Sequence, residues 1–269
     1  MNITIKNDMF IEYIRAVPLA LAFERVVEAA IYRRYNTLQR PVLDLGCGEG
    51  VFAALAFTER LDYGIEPNPR ELERARERNS HQQLICCSGD AIPLPSSSIA
   101  TIVSNSVLEH IPDLCSVLRE AHRILQPNGK LIATVPTDMF ERYTACASLL
   151  RLLQMDALAE RFQRRYNTFW RHYHAYPPAQ WQRLFEENGF ETVTRHEYQP
   201  RLACLINDML VPLAFLGFLI KKLTNRWFLF PMLRNITAML FSPLKPFLRR
   251  AEEANPGGLV FFLLRKRDG

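Results

Sequence analysis

Val42-Leu43-Asp44-Leu45-Gly46-Cys47-Gly48-Glu49-Gly50 is the stretch that decides the fold of this chain. Apolar residues run into a glycine-rich turn, and the apolar segment 51–57 that follows has the composition of a helix. A strand that enters glycines and then a helix places bare backbone N–H groups against a ligand at the strand's end. Three glycines alone are a weak signal, because the dinucleotide fingerprint is G-x-G-x-x-G. Here, Asp44 also stands two places before the first glycine.

Three further strand-like segments follow the turn, and each leads into a polar residue. Glu66 ends the first, about twenty residues after the turn, where a doubly wound fold places the acid that holds ribose hydroxyls. Asp90 follows the segment 83–87, and Asn105 ends the segment 99–105. A helix over 114–125 and a strand over 131–135 come next. This alternation predicts an α/β protein with a doubly wound sheet.

The order of these four features resembles the class I S-adenosylmethionine (SAM)-dependent methyltransferases. The small-molecule branch that includes the ubiquinone and menaquinone methyltransferases is the most similar. The resemblance is strong over 42–136, weaker over 177–198 and absent in the N-terminal helices and over 200–256. It implies a Rossmann-like seven-stranded sheet with six parallel strands and one antiparallel strand. It also implies SAM at the carboxyl ends of the first strands and methyl transfer to a nucleophile.

The same resemblance assigns residues of this chain to the cofactor. These residues are Asp44, Gly46, Cys47, Gly48, Glu66, Asp90, Ala91 and Asn105. Asp44 and the glycine turn would face the amino-acid part of SAM, and Asn105 would line its methionine end. Glu66 would accept hydrogen bonds from both ribose hydroxyls, because a carboxylate is an acceptor only. Asp90 would accept from the adenine amino group, with Ala91 packing nearby.

The rest of the chain is organised around this core. We expect N-terminal helices that cover the cofactor site, a SAM-binding core, a helical lid, the last helix with the sixth strand, a hydrophobic basic insertion, and the seventh strand. Their ranges are 1–40, 41–136, 137–176, 177–199, 200–256 and 257–269. The lid and the second insertion follow the fifth and sixth strands. Since ligands bind outside the carboxyl ends of an open α/β sheet, both should surround the acceptor pocket.

Composition limits the class of protein further. Of 269 residues, 48% are hydrophobic and 23% charged, which is typical of a globular protein. The net charge is +5, and residues 200–269 hold eleven Lys/Arg against four Asp/Glu, or +7, which leaves −2 for the remainder. Positive charge in an apolar region favours an anionic surface as partner. Six cysteines without a C-x-x-C pair, and no secretory signal, predict a cytoplasmic protein with free thiols.

The insertion 200–256 has several interpretations. The segment 210–220 carries no charge, but the best membrane-spanning window, 202–220, contains Asn207, Asp208 and Pro212. A pair of interfacial helices fits better, with peripheral contact on the inner face of the membrane. A cap on the chain's own sheet and a homodimer interface remain alternatives.

The lid region interleaves basic and aromatic residues over 161–174. Such a pattern can stack bases and contact phosphates, so an RNA methyltransferase is one alternative. The run is short and the chain only mildly basic, and we expect no nucleic-acid partner. A helical lid over the acceptor pocket is the better interpretation.

The chemistry follows from the reaction type. In-line displacement at a sulfonium needs alignment, and a hydroxyl acceptor needs a base. His110, after the fourth strand, and His174, in the lid, are the candidate bases. We expect no metal, because Ser106 replaces the first glutamate of the Glu-x-x-Glu-His cluster found in some quinone methyltransferases. The predicted function is methylation of a lipophilic small molecule on oxygen, with C-methylation of an isoprenoid or polyketide, or a non-catalytic SAM-binding partner protein, as alternatives.

Overall fold

The structure is a computed structural model, and it describes residues 2–35, 38–224, 227 and 233–267. Its helices are α1 (Phe10–Ala16), α2 (Leu19–Arg34), α3 (Val51–Ala56), α4 (Pro69–Arg78), α5 (Leu114–Ile124), α6 (Ala145–Leu152), α7 (Asp156–Trp170), α8 (Pro178–Glu187), α9 (Arg201–Thr224), α10 (Leu233–Phe241) and α11 (Lys245–Arg250). Its strands are β1 (Asn2–Ile3), β2 (Leu38–Gln39), β3 (Val42–Leu45), β4 (Leu61–Ile65), β5 (His81–Ile85), β6 (Ile99–Asn105), β7 (Leu125–Pro136), β8 (Phe190–Tyr198) and β9 (Leu259–Lys266). Short 3-10 turns lie at Leu108–His110, Glu141–Tyr143 and Ser242–Leu244.

Seven of the described strands form one sheet in the order β5-β4-β3-β6-β7-β9-β8. The pairs from β5 to β7 are parallel, and β9 runs antiparallel to both β7 and β8. The predicted fold class, six parallel strands and one antiparallel strand, is therefore confirmed. A separate two-stranded sheet of β1 and β2, which the sequence analysis did not predict, precedes it.

Three strands differ in their ends from the sequence prediction. The strand predicted over 83–87 is β5, His81–Ile85, the strand predicted over 131–135 is the longer β7, Leu125–Pro136, and Glu66 lies just beyond the end of β4. The register explains the ends of β4 and β5, because Ile65 pairs with Ile85 and the pairing stops there. The Glu66 N–H still donates to the Ile85 carbonyl oxygen at 3.3 Å, so Glu66 lies at the carboxyl edge of the sheet.

Helices cover both faces of the sheet. On one face, α5 and α8 pack through residues such as Leu118 and Trp181, both fully buried. On the other face, the N-terminal helices share one hydrophobic cluster with Ala203 of α9, Ala238 of α10 and Leu248 of α11. Part of the second insertion is therefore packed into the chain's own core.

The two insertions fold as helices, α6 and α7 in 137–176 and α9, α10 and α11 in 200–256. Among the described residues, no single helix has both the length and the apolar composition needed to cross a bilayer. One bent pair, Arg201–Pro212 with Gly217–Thr224, meets that test jointly, with an angle of 47° between its halves.

Candidate active site

The glycine-rich turn after β3 is tied to the end of β4. The backbone N–H groups of Gly46 and Cys47 both donate to the Ile65 carbonyl oxygen, at 3.0 and 2.9 Å. Gly46 has a φ of +76°, and a Cβ there would lie 2.4 Å from Cγ1 of Val107. Only glycine satisfies both the left-handed backbone and this close approach. The turn is thus fixed from two sides.

A cavity of about 270 Å³, which we call the turn cavity, lies against this turn. Its lining residues are Val17, Leu21, Arg25, Asp44, Gly46, Cys47, Gly48, Glu49, Val51, Phe52, Glu71, Asn105, Ser106, Val107, Lys221 and Trp227. A Cβ built on Gly48 would meet no atom within 4 Å, so the backbone of the turn faces open space. A ligand can therefore approach that backbone directly.

The structure brings most of the predicted cofactor residues together here. Asp44, Gly46, Cys47, Gly48 and Asn105 line the turn cavity.

Glu66 lies beside the same turn. Its carboxylate accepts from the Gly48 N–H at 3.2 Å and from the Asn68 N–H at 2.9 Å. Asp90 and Ala91 lie on an exposed turn after β5 and are not among the described residues that line the cavity. Their contact with the adenine remains a prediction.

His81 is a residue of this site that the sequence analysis missed. Its Nε2 lies 3.1 Å from Oδ2 of Asp44, and its Nδ1 lies 2.9 Å from Oγ of Ser80. Asp44 is only 5% exposed, so this buried histidine holds its carboxylate in place. Nothing local marks His81, because it begins β5, two strands away from Asp44 in the sheet.

A second and larger cavity, which we call the wide cavity, measures about 430 Å³. Its lining residues are Pro18, Ala20, Leu21, Glu24, Arg25, Ser106, Glu109, His110, Pro136, Phe140, Tyr166, Phe169, Trp170, His172, Asn207, Val211, Ala214, Phe215, Phe218, Trp227 and Leu259. Four of them also line the turn cavity, namely Leu21, Arg25, Ser106 and Trp227. The two cavities are therefore adjacent and share a boundary.

A buried network forms part of that boundary. Glu28 is fully buried and accepts hydrogen bonds from Asn105 Nδ2 at 3.0 Å, Ser106 Oγ at 3.0 Å and Tyr198 OH at 3.1 Å. Arg25 donates to Glu28 as well, and to Ser106 Oγ at 2.8 Å. Burial opposes the charge of Arg25, but the nearby carboxylates outweigh it and raise its pKa above the usual value. A fixed positive charge therefore stands between the cavities.

Buried acids give the wide cavity its chemistry. Burial raises the pKa of Glu109 to about 8, and it raises the pKa of Glu24 to about 7 against the opposing charge of Arg25. Burial also lowers the pKa of His172 to about 4 and depresses that of His110. Carboxyl groups with a pKa near neutrality are suited to general acid–base catalysis.

The two histidines predicted as bases have different surroundings. His110 lines the wide cavity, and its Nδ1 lies 3.2 Å from the Arg171 carbonyl oxygen. His174 is not among the described lining residues, and both of its ring nitrogens are engaged, Nδ1 with Tyr176 OH at 2.9 Å and Nε2 with the Ile111 carbonyl at 2.8 Å. These bonds are typical of a structural histidine, whereas His110 faces a cavity; the role of either histidine as a base stays a prediction.

The wall of the wide cavity comes mainly from the two insertions. Phe169 and Trp170 belong to α7, and Phe215 and Phe218 belong to α9. These four rings are also 65%, 39%, 50% and 51% exposed, respectively. The lining of the cavity therefore continues onto the outer surface.

The second insertion also reaches the turn cavity. Lys221, near the end of α9, pairs with Glu49 of the glycine-rich turn, and its Nζ lies 4.3 Å from the centre of the Trp227 ring. Glu49 also accepts from Arg74 Nη1 at 3.0 Å. The last turn of α9 is thus bonded to the turn that forms the floor of this cavity.

No group of three or more His, Cys, Asp or Glu residues suited to a metal ion occurs within the described residues. The Ser106 hydroxyl, at the position where the quinone-type cluster would have a glutamate, is bonded to Glu28.

Comparison with known proteins identifies the family. The methyltransferase-domain family matches residues 12–195, and the chain belongs to it. An uncharacterised methyltransferase from Mycobacterium sp. (strain KMS) is 38% identical over 92 residues, which are 34% of this chain and 36% of the relative. A probable SAM-dependent methyltransferase from Mycobacterium tuberculosis (strain CDC 1551 / Oshkosh) is 31% identical over 98 residues, 36% of each chain. The chain thus spans about a third of the length of these relatives.

Solved structures show the same fold. A Thermotoga maritima SAM-dependent methyltransferase, described as a possible histamine N-methyltransferase, superposes with a TM-score of 0.57 at 17% identity and covers 93% of this chain and 92% of its own. Phosphoethanolamine N-methyltransferase 2 from Haemonchus contortus, solved with SAM, has a TM-score of 0.54 at 18% identity. The match covers 89% of this chain and 52% of that protein.

The comparisons agree with the predicted enzyme class and cofactor, since the chain belongs to the methyltransferase-domain family and a relative with 31% identity is named a probable SAM-dependent methyltransferase. The turn cavity fits SAM, since its open backbone at Gly48 and the carboxylates of Asp44 and Glu66 can meet the polar groups of the cofactor. The similarity to the ubiquinone branch in particular stays a prediction.

Proposed function

We propose that the protein transfers the methyl group of SAM to a hydroxyl oxygen of a lipophilic small molecule taken from a membrane surface. The observation that carries the proposal is the wall of the wide cavity, whose rings Phe169, Trp170, Phe215 and Phe218 are partly exposed. An apolar acceptor can move from this surface into the cavity without leaving an apolar environment.

SAM, when bound in the turn cavity, supplies an activated methyl group. The protein's part is to align the acceptor and keep water out, since alignment provides much of the acceleration in a displacement. Leu21 and Trp227 line both cavities and supply apolar surface at their boundary. Ser106 and Arg25 form the polar side of the same boundary. An acceptor that fills the wide cavity therefore lies against this boundary, on the far side from the glycine-rich turn.

The membrane part of the proposal is supported by the outer surface of the second insertion. Large apolar side chains of α9 and α10 face outward, including Met209 and Met239 at 70% exposure and Leu223 at 86%. The exposed cations Lys222, Arg249 and Arg250 belong to the same insertion. Exposed apolar residues with nearby positive charge favour an anionic lipid surface.

Co-sedimentation with vesicles tests this surface. Purified protein is mixed with phosphatidylcholine vesicles and with vesicles that also contain phosphatidylglycerol. We expect binding to the anionic vesicles that weakens with salt. The Leu219→Glu/Leu223→Glu variant should lose binding, whereas Val193→Glu, an equally polar change at an exposed position on β8, should retain it. Absence of wild-type binding would refute the membrane source.

Turnover tests the acceptor itself. Protein and SAM labelled in the methyl group are incubated with an organic extract of membranes, and label that partitions into solvent is measured. We expect extractable label with the lipid extract and none with a water-soluble extract. Label that appears only with the water-soluble extract would redirect the search to polar acceptors.

A further inference from the structure

Four residues that line the wide cavity carry a buried polar atom with no hydrogen-bond partner within the described part of the chain. These atoms are Glu109 Oε2, Asn207 Oδ1, His172 Nδ1 and Trp227 Nε1. Glu109 is 3% exposed and Asn207 8%. Buried polar atoms in folded proteins are almost always satisfied. The partner of these atoms is therefore expected to be the ligand of the cavity.

The character of these atoms defines the ligand's head group. Asn207 Nδ2 donates to Glu24 Oε2 at 3.1 Å, so the Asn207 side chain has its Oδ1 left to bind a ligand. An amide oxygen and a carboxylate oxygen both accept hydrogen bonds. A head group that satisfies these two oxygens must therefore donate hydrogen bonds, as a hydroxyl group does and an ether does not.

We propose that Glu109 is the catalytic base of this enzyme, and that Asn207 positions the hydroxylated head group of the acceptor against it. This inference rests on the proposed function and deepens it, because it names the group that activates the acceptor. Glu109 Oε2 takes the proton of the acceptor's hydroxyl group as that oxygen bonds to the methyl carbon. The methyl–sulfur bond breaks in the same step and leaves neutral S-adenosylhomocysteine (SAH), the methyl ether and a protonated Glu109.

The structure favours Glu109 over Glu24 for this task. Glu24 Oε2 is already bonded to Asn207, and Glu24 Oε1 lies 3.8 Å from the Arg25 guanidinium. Glu109 lines the cavity, and its Oε2 has no hydrogen-bond partner among the described residues. Burial also raises the pKa of Glu109 to about 8, near neutral pH. A base with such a pKa is partly deprotonated at that pH and still binds a proton strongly.

His110 provides a route for the proton to leave. A carbonyl oxygen accepts only, so the contact of His110 Nδ1 with Arg171 places the ring hydrogen on Nδ1 and leaves Nε2 unprotonated in the neutral ring. That Nε2 lies 3.8 Å from Glu109 Oε1, and the His110 side chain is 42% exposed. His110 thus stands between the buried carboxyl group and solvent.

A matched pair of probes tests the head-group site without turnover. 4-Octylphenol and its methyl ether, 4-octylanisole, are titrated calorimetrically into SAH-loaded protein at pH 6 and pH 9. We expect the wild type to prefer the phenol by roughly tenfold or more at pH 9, the contribution of a hydrogen bond to a charged group, and by less at pH 6. Glu109→Gln should reduce this preference and remove its pH dependence.

Glu141→Gln is the control. Glu141 is also a buried carboxyl group with one unpartnered oxygen, but it does not line the wide cavity in the described structure. Burial raises its pKa to about 7. This variant should keep the wild-type preference. In the turnover assay, Glu109→Gln should reduce the rate about a hundredfold, as loss of a general base does, with unchanged affinity for SAM.

The outcomes separate the two proposals. A reduced, pH-independent preference in Glu109→Gln alone supports Glu109 as the base. A wild-type preference and rate in that variant would overturn the assignment while leaving the lipophilic acceptor in place. If neither probe binds the wild type and the lipid extract is not methylated, the proposed function itself fails, and the inference fails with it.

Discussion

The Glu28→Gln substitution should destabilise the protein because it removes the carboxylate at the centre of the buried network. Four donors converge on Glu28, from Arg25, Asn105, Ser106 and Tyr198. Removal of one partner of a buried ion pair typically costs about 3–5 kcal/mol. Glu24 lies 3.8 Å from Arg25 and remains as a second anion, so we expect the lower end, about 3 kcal/mol.

Thermal unfolding monitored by circular dichroism measures this effect. For a chain of this size, about 3 kcal/mol corresponds to a decrease in Tm on the order of 10 °C. Glu12→Gln is the control, because Glu12 is 47% exposed and lies 3.8 Å from Lys6 in a surface pair. That variant should change stability by less than about 0.5 kcal/mol. A Glu28→Gln protein that melts within about 2 °C of the wild type would refute the stabilising role of the network.

Three further predictions concern the cofactor and pH. Glu66→Ala should weaken SAM binding at least roughly a hundredfold in calorimetry, since two charged hydrogen bonds are lost; wild-type affinity would contradict the ribose contact. Gly48→Ala should lower Tm slightly, because its φ of +51° is left-handed, and should bind SAM less tightly, because its Cβ enters the open space beside the turn. Gly46→Ala should lower Tm more, because its Cβ also meets Val107, and equal Tm losses would count against this distinction. The pKa of Glu109 is about 8 in the folded protein and about 4.5 in the unfolded chain. Between these pH values the folded state holds a proton that the unfolded chain has lost, so the stability of the wild type should fall as the pH rises from about 4.5 to about 8. Urea unfolding at pH 5 and pH 8 should show that Glu109→Gln becomes more stable relative to the wild type at the higher pH. A difference in the free energy of unfolding that is the same at both pH values would argue against a buried, titrating Glu109.

The sheet and the cofactor turn could be predicted because their determinants are local. The glycines and Asp44 lie within a few residues of one another. Strand β6 was predicted with its observed ends because four of the five residues over 99–103 are apolar and Asn105 ends the run. Parallel strands then bring their carboxyl ends to one edge whatever the loops contain. Sequence order alone was therefore sufficient to group Asp44 and Asn105 at one edge of the sheet, where both line the turn cavity.

The residues that the sequence analysis missed depend on packing between distant segments. Arg25 and Glu28 of α2 meet Ser106 about eighty positions later, and Tyr198 reaches them from β8. No periodicity or spacing encodes such a meeting. The histidine prediction had the same weakness, since His110 and His174 differ only in what surrounds them.

The second insertion shows a further limit. The uncharged segment 210–220 of α9 is apolar on every side, so its sequence does not distinguish the face that packs from the face that is exposed. The structure makes that distinction within the segment, where Gly217 is buried and Phe215 and Phe218 are exposed.

The bond between Lys221 and Glu49 would connect the two proposed binding events, that of SAM in the turn cavity and that of a membrane surface at α9. A single helix both carries exposed apolar residues and touches the turn beneath the cofactor. Equilibrium binding obeys reciprocity, so any factor by which SAM changes the affinity for vesicles is the factor by which vesicles change the affinity for SAM. Measuring SAM binding with and without anionic vesicles, in the wild type and in Lys221→Met, would give this coupling energy directly, with Lys222→Met as the neighbouring control. If the two sites are coupled in this way, the affinity of the protein for its methyl donor would differ between the proposed membrane-bound state and the free state.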